Sequence, residues 1–304
     1  MADMTVLLLA LLLPAAADAG TQARRIEHGG LRRSYRLHVP PDLKKPAPLV
    51  VVLHGGGGRG RGMERMSGFS ELADKEGFLV AYPDGEGRNW FDGRQGDFSK
   101  AHKERRDDAG FVAAMIEEIA RDFEVDRARV YATGISNGGF FSHYLGATRS
   151  ELFAAIAPVV GGLADPFHKE FAPKRPVAVL VAQGTEDPLV PYAGGGVSAF
   201  KRERGRLIPT GEALRLWVKA DGCGEALQET ELPDADPRDG CRVKRLTWTS
   251  CKKGTEVQLL RMEGAGHTWP SGPQYLPKMM IGGVCRDFGS AYIWEFFKAH
   301  PRVE

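Results

Sequence analysis

Short apolar runs alternate along the chain with stretches whose apolar positions recur every three or four residues. The runs at 35–39, 49–53, 78–82, 129–133, 153–160, 177–182 and 257–262 have strand length. The stretches at 63–76, 109–123, 140–148 and 212–220, with a last one near 290–300, carry the helical period. Leu49-Val50-Val51-Val52-Leu53 and Val177-Ala178-Val179-Leu180-Val181 are apolar at every position, as strands buried on both faces are. Alternation of this kind predicts an α/β fold, with a mostly parallel central sheet, helices on both faces and right-handed crossovers. No repeat, low-complexity tract or linker interrupts the order, so residues 20–304 are expected to form a single domain.

The first residues follow another pattern. Residues 5–13 are apolar, Pro14 stops the run, and Ala17-Asp18-Ala19 follows as a small-residue cleavage site. Residues 1–19 are therefore expected to be a secretory signal, although Asp3 is the only charge before the apolar run. The run is too short to cross a bilayer, no later segment is long and apolar enough, and no cysteine follows closely. No membrane anchor is expected.

Charge narrows the partners. The 41 Lys and Arg and 39 Asp and Glu are interspersed and leave a net +2, which argues against nucleic-acid binding. The densest basic run, Lys201-Arg202-Glu203-Arg204-Gly205-Arg206, reads as a solvated loop. All four cysteines, Cys223, Cys241, Cys251 and Cys285, lie in the last third. An even count in an exported chain without Cys-x-x-Cys favours disulfides over metal ligands and leaves three pairings open. The stretch near 222–256, with its Pro- and Asp-rich middle, reads as a loop-rich, cysteine-bearing insertion.

In a parallel sheet, ligands bind beyond the carboxyl ends of the strands. The loops that follow the apolar runs begin at His54, Pro83, Gly134, Gln183 and Glu263. Gly134-Ile135-Ser136-Asn137-Gly138, between a strand-like and a helix-like segment, has the form of a nucleophile elbow. Serine is a poor nucleophile unless a base takes its proton and a carboxylate orients that base. His267, in the glycine-rich loop after 257–262, is the expected base, and Asp187 the expected acid, with Asp165 as the fallback. The chain order serine, acid, histidine is that of α/β-hydrolases. Backbone amides of Asn137 and of Gly56, with Gly55 next, are expected to form the oxyanion hole. The glycine loop lacks both the Lys-Ser/Thr ending of a P-loop and the spacing of a dinucleotide fingerprint.

Taken together, Leu53-His54-Gly55-Gly56-Gly57-Gly58, Phe78 to Asp84, Asn89-Trp90, Asp107 to Phe111, Gly134 to Gly139 and Gly266-His267-Thr268-Trp269-Pro270 carry a resemblance. From about residue 33 to 301 the chain resembles the polyhydroxybutyrate-depolymerase-like esterases, to which feruloyl and acetylxylan esterases are related. The resemblance implies an α/β-hydrolase, secreted or periplasmic, with Ser136, Asp187 and His267 as its triad. It implies no metal or organic cofactor, and as partner a small-molecule or oligomeric ester: a hydroxyalkanoate, or a plant-wall feruloyl or acetyl ester. It also implies a Cys223–Cys251 disulfide, whereas Cys241 and Cys285 stand where the family does not call for cysteine. Trp90 and Trp269, on loops expected near the catalytic face, are candidates for an aromatic substrate platform, and Asp107 and Asp108 for helix N-caps. A peptidase of the same fold and a non-catalytic binding protein are the competing readings.

Overall fold

The computed structural model describes residues 19–199, 201–224 and 227–303. The expected secretory signal falls almost wholly outside them. Among the described residues twelve strands follow in chain order: β1 Gly20–His28, β2 Leu31–Val39, β3 Ala47–Leu53, β4 Leu79–Pro83, β5 Val125–Ile135, β6 Ala155–Val159, β7 Ala178–Gly184, β8 Gly195–Ala199, β9 Arg202–Leu207, β10 Leu227–Glu231, β11 Arg242–Trp248 and β12 Val257–Glu263. Helices connect them: α1 Gly60–Ser67, α2 Phe69–Glu76, the short α3 Lys100–Lys103, α4 Asp108–Asp122, α5 Asn137–Thr148, α6 Thr210–Asp221, the short α7 Lys278–Ile281 and α8 Ser290–Ala299.

Ten strands form one sheet in the order β1-β2-β4-β3-β5-β6-β7-β12-β11-β10, and β8 and β9 form a separate hairpin. The six strands from β4 to β12 run parallel, and antiparallel strands extend both edges. This is the expected α/β-hydrolase layering. The apolar runs are explained by the two faces of the sheet. Leu49, Val51 and Leu53 of β3 join a core with Phe111 of α4, Phe141 of α5 and Trp217 of α6. Val50 and Val52 join the opposite core with Met63, Phe69 and Trp294, from α1, α2 and α8. A strand covered on both sides must be apolar at every position.

Two expectations are corrected. The single helix at 63–76 is two, because Gly68 takes the left-handed conformation (φ 65°) and its N–H closes on the Glu64 carbonyl, ending α1. The insertion near 222–256 also supplies two strands, β10 and β11, which prolong the sheet beyond β12. The basic run at 201–206 is not a loop, since it forms most of β9. Edge strands such as β1 and β10 escape a search for apolar runs because so little of them is covered; β1 buries only Ile26, and β10 nothing.

Cys223 is bonded to Cys251 and Cys241 to Cys285. The second bond ties the start of β11 to the segment beside the His267 loop. There Gly266 N–H donates to the Gly283 carbonyl (3.0 Å) and His267 N–H to that of Ile281 (2.5 Å).

Candidate active site

Ser136 stands between the last residue of β5 and the first of α5, with φ 57° and ψ −121°. A serine at positive φ is strained and persists only where its surroundings hold it. Here Ser136 N–H donates to the Val159 carbonyl (3.0 Å) and its own carbonyl accepts from Phe140 N–H (2.9 Å). The flanking glycines are dictated by crowding. A β-carbon on Gly134 would lie 2.6 Å from Leu53 Cβ, and one on Gly138 would meet the Leu53 and His54 carbonyls. Gly138→Ala is therefore expected to cost about 1–3 kcal/mol of stability by overpacking. It should also displace the turn and lower ester turnover at least about a hundredfold, since small misplacements are costly in catalysis. Thermal unfolding and p-nitrophenyl acetate kinetics check it; a stable, fully active variant would contradict the crowding.

Asp187 and His267 meet at the carboxyl ends of the adjacent strands β7 and β12. His267 Nδ1 lies 2.7 Å from Asp187 Oδ2, and both side chains are buried. Asp187 Oδ1 accepts the N–H groups of Leu189 (2.8 Å) and Val190 (2.9 Å), which fixes the carboxylate plane. With Nδ1 donating to the carboxylate, Nε2 is the ring nitrogen left to act as a base. His267 and Ser136 line the same cleft, of about 380 Å³. Asp165, the fallback acid, instead pairs with His168 and Arg206 and takes no part in lining that cleft.

The glycine loop forms the facing wall. Gly57 N–H donates to the Arg88 carbonyl (2.8 Å) and Gly58 N–H to that of Gly55 (2.9 Å). Among the described residues, no protein acceptor takes the N–H of Gly55, Gly56 or Asn137. A β-carbon on Gly55 would lie 3.3 Å from Ser136 Cβ, and one on Gly56 3.0 Å from Asn89 Oδ1. Unpaired amides from a glycine loop and a helix N-terminus are what a developing oxyanion needs. His54 holds the loop: its Nδ1 bonds the Gly55 carbonyl (2.8 Å) and its Nε2 accepts Gly85 N–H (3.0 Å). Burial lowers its pKa to about 4, so it stays neutral and keeps the accepting nitrogen.

Comparison with known proteins bears on the family and the fold. Residues 64–164 match the prolyl oligopeptidase family. The candidate esterase NocK of Nocardia uniformis subsp. tsuyamanensis is 33% identical over 284 residues, which cover 90% of this chain and 81% of that protein. The chain belongs to the polyhydroxybutyrate-depolymerase-like esterases of the α/β-hydrolase superfamily. Feruloyl esterase B of Piromyces equi is 30% identical over 73% of this chain, which spans 40% of that enzyme's length. Poly(3-hydroxyalkanoate) depolymerase C of Paucimonas lemoignei is 34% identical over 41% of this chain, which spans 30% of its length. The acetyl xylan esterase from Aspergillus awamori shares the fold, with TM-score 0.59 at 16% identity, covering 91% of this chain and 99% of that one.

In this esterase both tryptophans depart from expectation. Trp90 is fully buried, stacked on Phe141 with ring centroids 5.1 Å apart, and its Nε1 donates to the His54 carbonyl (2.9 Å). Trp269 is buried beside Phe69, its Nε1 donating to Ser290 Oγ (3.1 Å). Neither lines the cleft. Both brace loops from behind, because a large ring with one donor is best satisfied where burial and a hydrogen bond coincide. Of the two aspartates expected as caps, Asp107 caps α4 through Gly110 N–H (2.8 Å). Asp108 instead forms a buried ion pair with Arg33 (2.7 Å) and accepts Phe91 N–H (2.8 Å).

A buried network escaped the sequence reading. The Asn137 carboxamide accepts Trp90 N–H (2.9 Å) and donates to the Trp90 carbonyl (3.0 Å) and to Asp92 Oδ2 (2.7 Å). Asp92 also receives Arg94 (2.7 Å) and His102 Nε2 (2.9 Å). Burial alone would raise the Asp92 pKa, yet the Arg94 charge and the His102 hydrogen bond hold it well below the usual carboxylate range. The network clamps the first residue of α5, which lines the cleft, to the loop before α3. Its only signal in the sequence was a polar set, Asp92, Arg94 and His102, without any periodicity.

Proposed function

We propose that this esterase is exported and cleaves carboxylic esters through an acyl-enzyme. Ser136 Oγ attacks the ester carbonyl, His267 Nε2 takes its proton, and Asp187 holds the imidazole in the required tautomer. The N–H groups of Asn137 and Gly56 stabilise the tetrahedral oxyanion. His267 then protonates the leaving alcohol and activates the water that releases the acid. The observation that carries the reading is the buried Asp187–His267 bond, 2.7 Å long, opening on the same cleft as a serine held at positive φ.

Hydroxyalkanoate oligomers are the proposed substrates, with feruloyl or acetyl plant-wall esters as the alternative that the relatives' names keep in view. Apolar side chains, Met63, Met66, Phe98, Val190 and Val197 among them, line much of the cleft, and its size suits a short acyl chain. A panel of hydroxybutyrate oligomers, methyl ferulate, acetylated xylan and a peptide p-nitroanilide tests the choice. We expect kcat/KM for the oligomers to exceed the others at least about tenfold, a gap of about 1.4 kcal/mol. Higher rates on ferulate or xylan would move the assignment to the alternative. Anilide cleavage matching ester cleavage would favour the peptidase reading instead.

The domain assignment, a signal at 1–19 and one catalytic domain at 20–304, belongs to the same proposal. Two disulfides suit an oxidising compartment.

A further inference from the structure

The hairpin β8–β9 forms part of the cleft wall, and its basic residues have no place in the chemistry above. Val197 of β8 and Leu207 of β9 pack on Phe140 and Val190, which seats the hairpin against α5 and the Asp187 loop. Pairing runs Gly195↔Leu207 and Gly196↔Arg206, then Ser198↔Glu203, so Arg204 and Gly205 together oppose Val197. Gly205 sits at φ 79° in this bulge, against the Gln95 carbonyl and Arg94. Bulges beside active sites re-aim side chains. Arg204 lines the cleft that holds Ser136 and His267.

The charges around Arg204 are one-sided. Arg94, whose Nη1 donates to the Arg204 carbonyl (2.9 Å), is neutralised by Asp92. Arg204 has no carboxylate within ion-pair distance among the described residues, and its Nε is buried without a hydrogen-bond partner. Burial, with the charges of Arg94 and Arg202, pulls its pKa below the ordinary guanidinium value. Arg59 is exposed and lines the same cleft, whose lining among the described residues includes no Asp or Glu. A half-buried arginine beside like charges, with no carboxylate partner among the described residues, attracts an anion, and its fork suits a carboxylate.

We propose that the cleft selects esters that carry a carboxylate, received by Arg204 while the ester carbonyl lies at Ser136. The inference rests on the esterase reading above and sharpens its substrate class. An oligomer of a hydroxy acid meets the requirement at its acid end. The carboxylate belongs either to the acyl group or to the leaving alcohol, and matched probes separate the two.

For the acyl side, mono-4-nitrophenyl glutarate is compared with its neutral terminal carboxamide. For the alcohol side, O-acetyl-3-hydroxybutyric acid is compared with its carboxamide by acetate release. In at least one pair, kcat/KM of the acid should exceed that of the amide roughly tenfold at low salt. The ratio should shrink as ionic strength rises, because added ions screen the attraction. In Arg204→Gln it should fall toward one. Acid and amide hydrolysed equally in both pairs would overturn the proposal, as would a preference indifferent to salt or kept in Arg204→Gln. The salt series needs only the unmodified enzyme, so a poorly folding variant does not remove the test. If no probe is hydrolysed and a fluorophosphonate fails to label Ser136, the esterase reading itself has failed. Labelling with equal turnover of acids and amides rejects the carboxylate subsite alone.

Discussion

Ser136→Ala should abolish measurable hydrolysis of a short p-nitrophenyl ester, with kcat falling by about 10⁵–10⁶, the scale seen when a triad nucleophile is removed. Fluorophosphonate labelling should disappear with it. Alanine leaves the elbow geometry in place, since any residue with a β-carbon bears the same φ of 57°. The unfolding temperature should therefore barely move. Glycine at the same position behaves differently, because it adopts positive φ at little cost. Ser136→Gly is expected to be equally inactive yet more stable, by about 1 kcal/mol, the low end of what such a backbone conformation stores. An alanine variant that kept even a tenth of the activity would show that another group performs the attack.

Asp187→Asn is the second large effect, and it acts through one proton. Asp187 Oδ1 accepts two backbone N–H groups, from Leu189 and Val190, while Oδ2 faces His267 Nδ1. Asparagine has a single oxygen, and the two backbone donors claim it. The carboxamide nitrogen, a donor only, is then turned toward His267 Nδ1. The ring must accept there and carry its proton on Nε2, the nitrogen required to be free to take the serine proton. The expected loss is about 10⁴ in kcat with little change in KM, as follows from a wrong tautomer in a preserved site. Circular dichroism and the unfolding temperature report whether the site is preserved. A loss below tenfold would mean that Asp187 does not orient the base, and would return Asp165 to consideration.

The residues whose placement was legible in the sequence share a property. Each stands within four residues of the end of a strand apolar enough to be recognised without its neighbours: His54 and Ser136 immediately after β3 and β5, Asp187 and His267 in the loops that follow β7 and β12. Parallel strands buried on both faces leave no choice of polar positions within them, so the first polar residues beyond their ends mark one edge of the sheet. The elbow was readable because Gly134 and Gly138 are forced by contacts with β3 and the residue that follows it.

What was misread depends on neighbours that periodicity does not reveal. Trp90 and Trp269 lie on the expected loops, but which side of a loop an indole faces is decided by the pocket behind it, here Phe141 and Phe69. Strand β9, with four charged residues in six, has no apolar run, and only its seat on Phe140 and Val190 makes it part of a wall. The clamp from Asp92 to Asn137 joins residues 45 positions apart.

The sequence by itself determined the fold class, the family resemblance and the order of the expected nucleophile, acid and base. These follow from strand-length apolar runs, glycines at crowded turns and the chemical types of a few residues. Tertiary structure alone decided that His267 meets Asp187 at 2.7 Å, and, among the described residues, which amides beside Ser136 lack a protein acceptor and that Arg204 lines the cleft without a carboxylate at ion-pair distance. Those are matters of distance and of charge balance between segments far apart in the chain, and only packing brings such segments together.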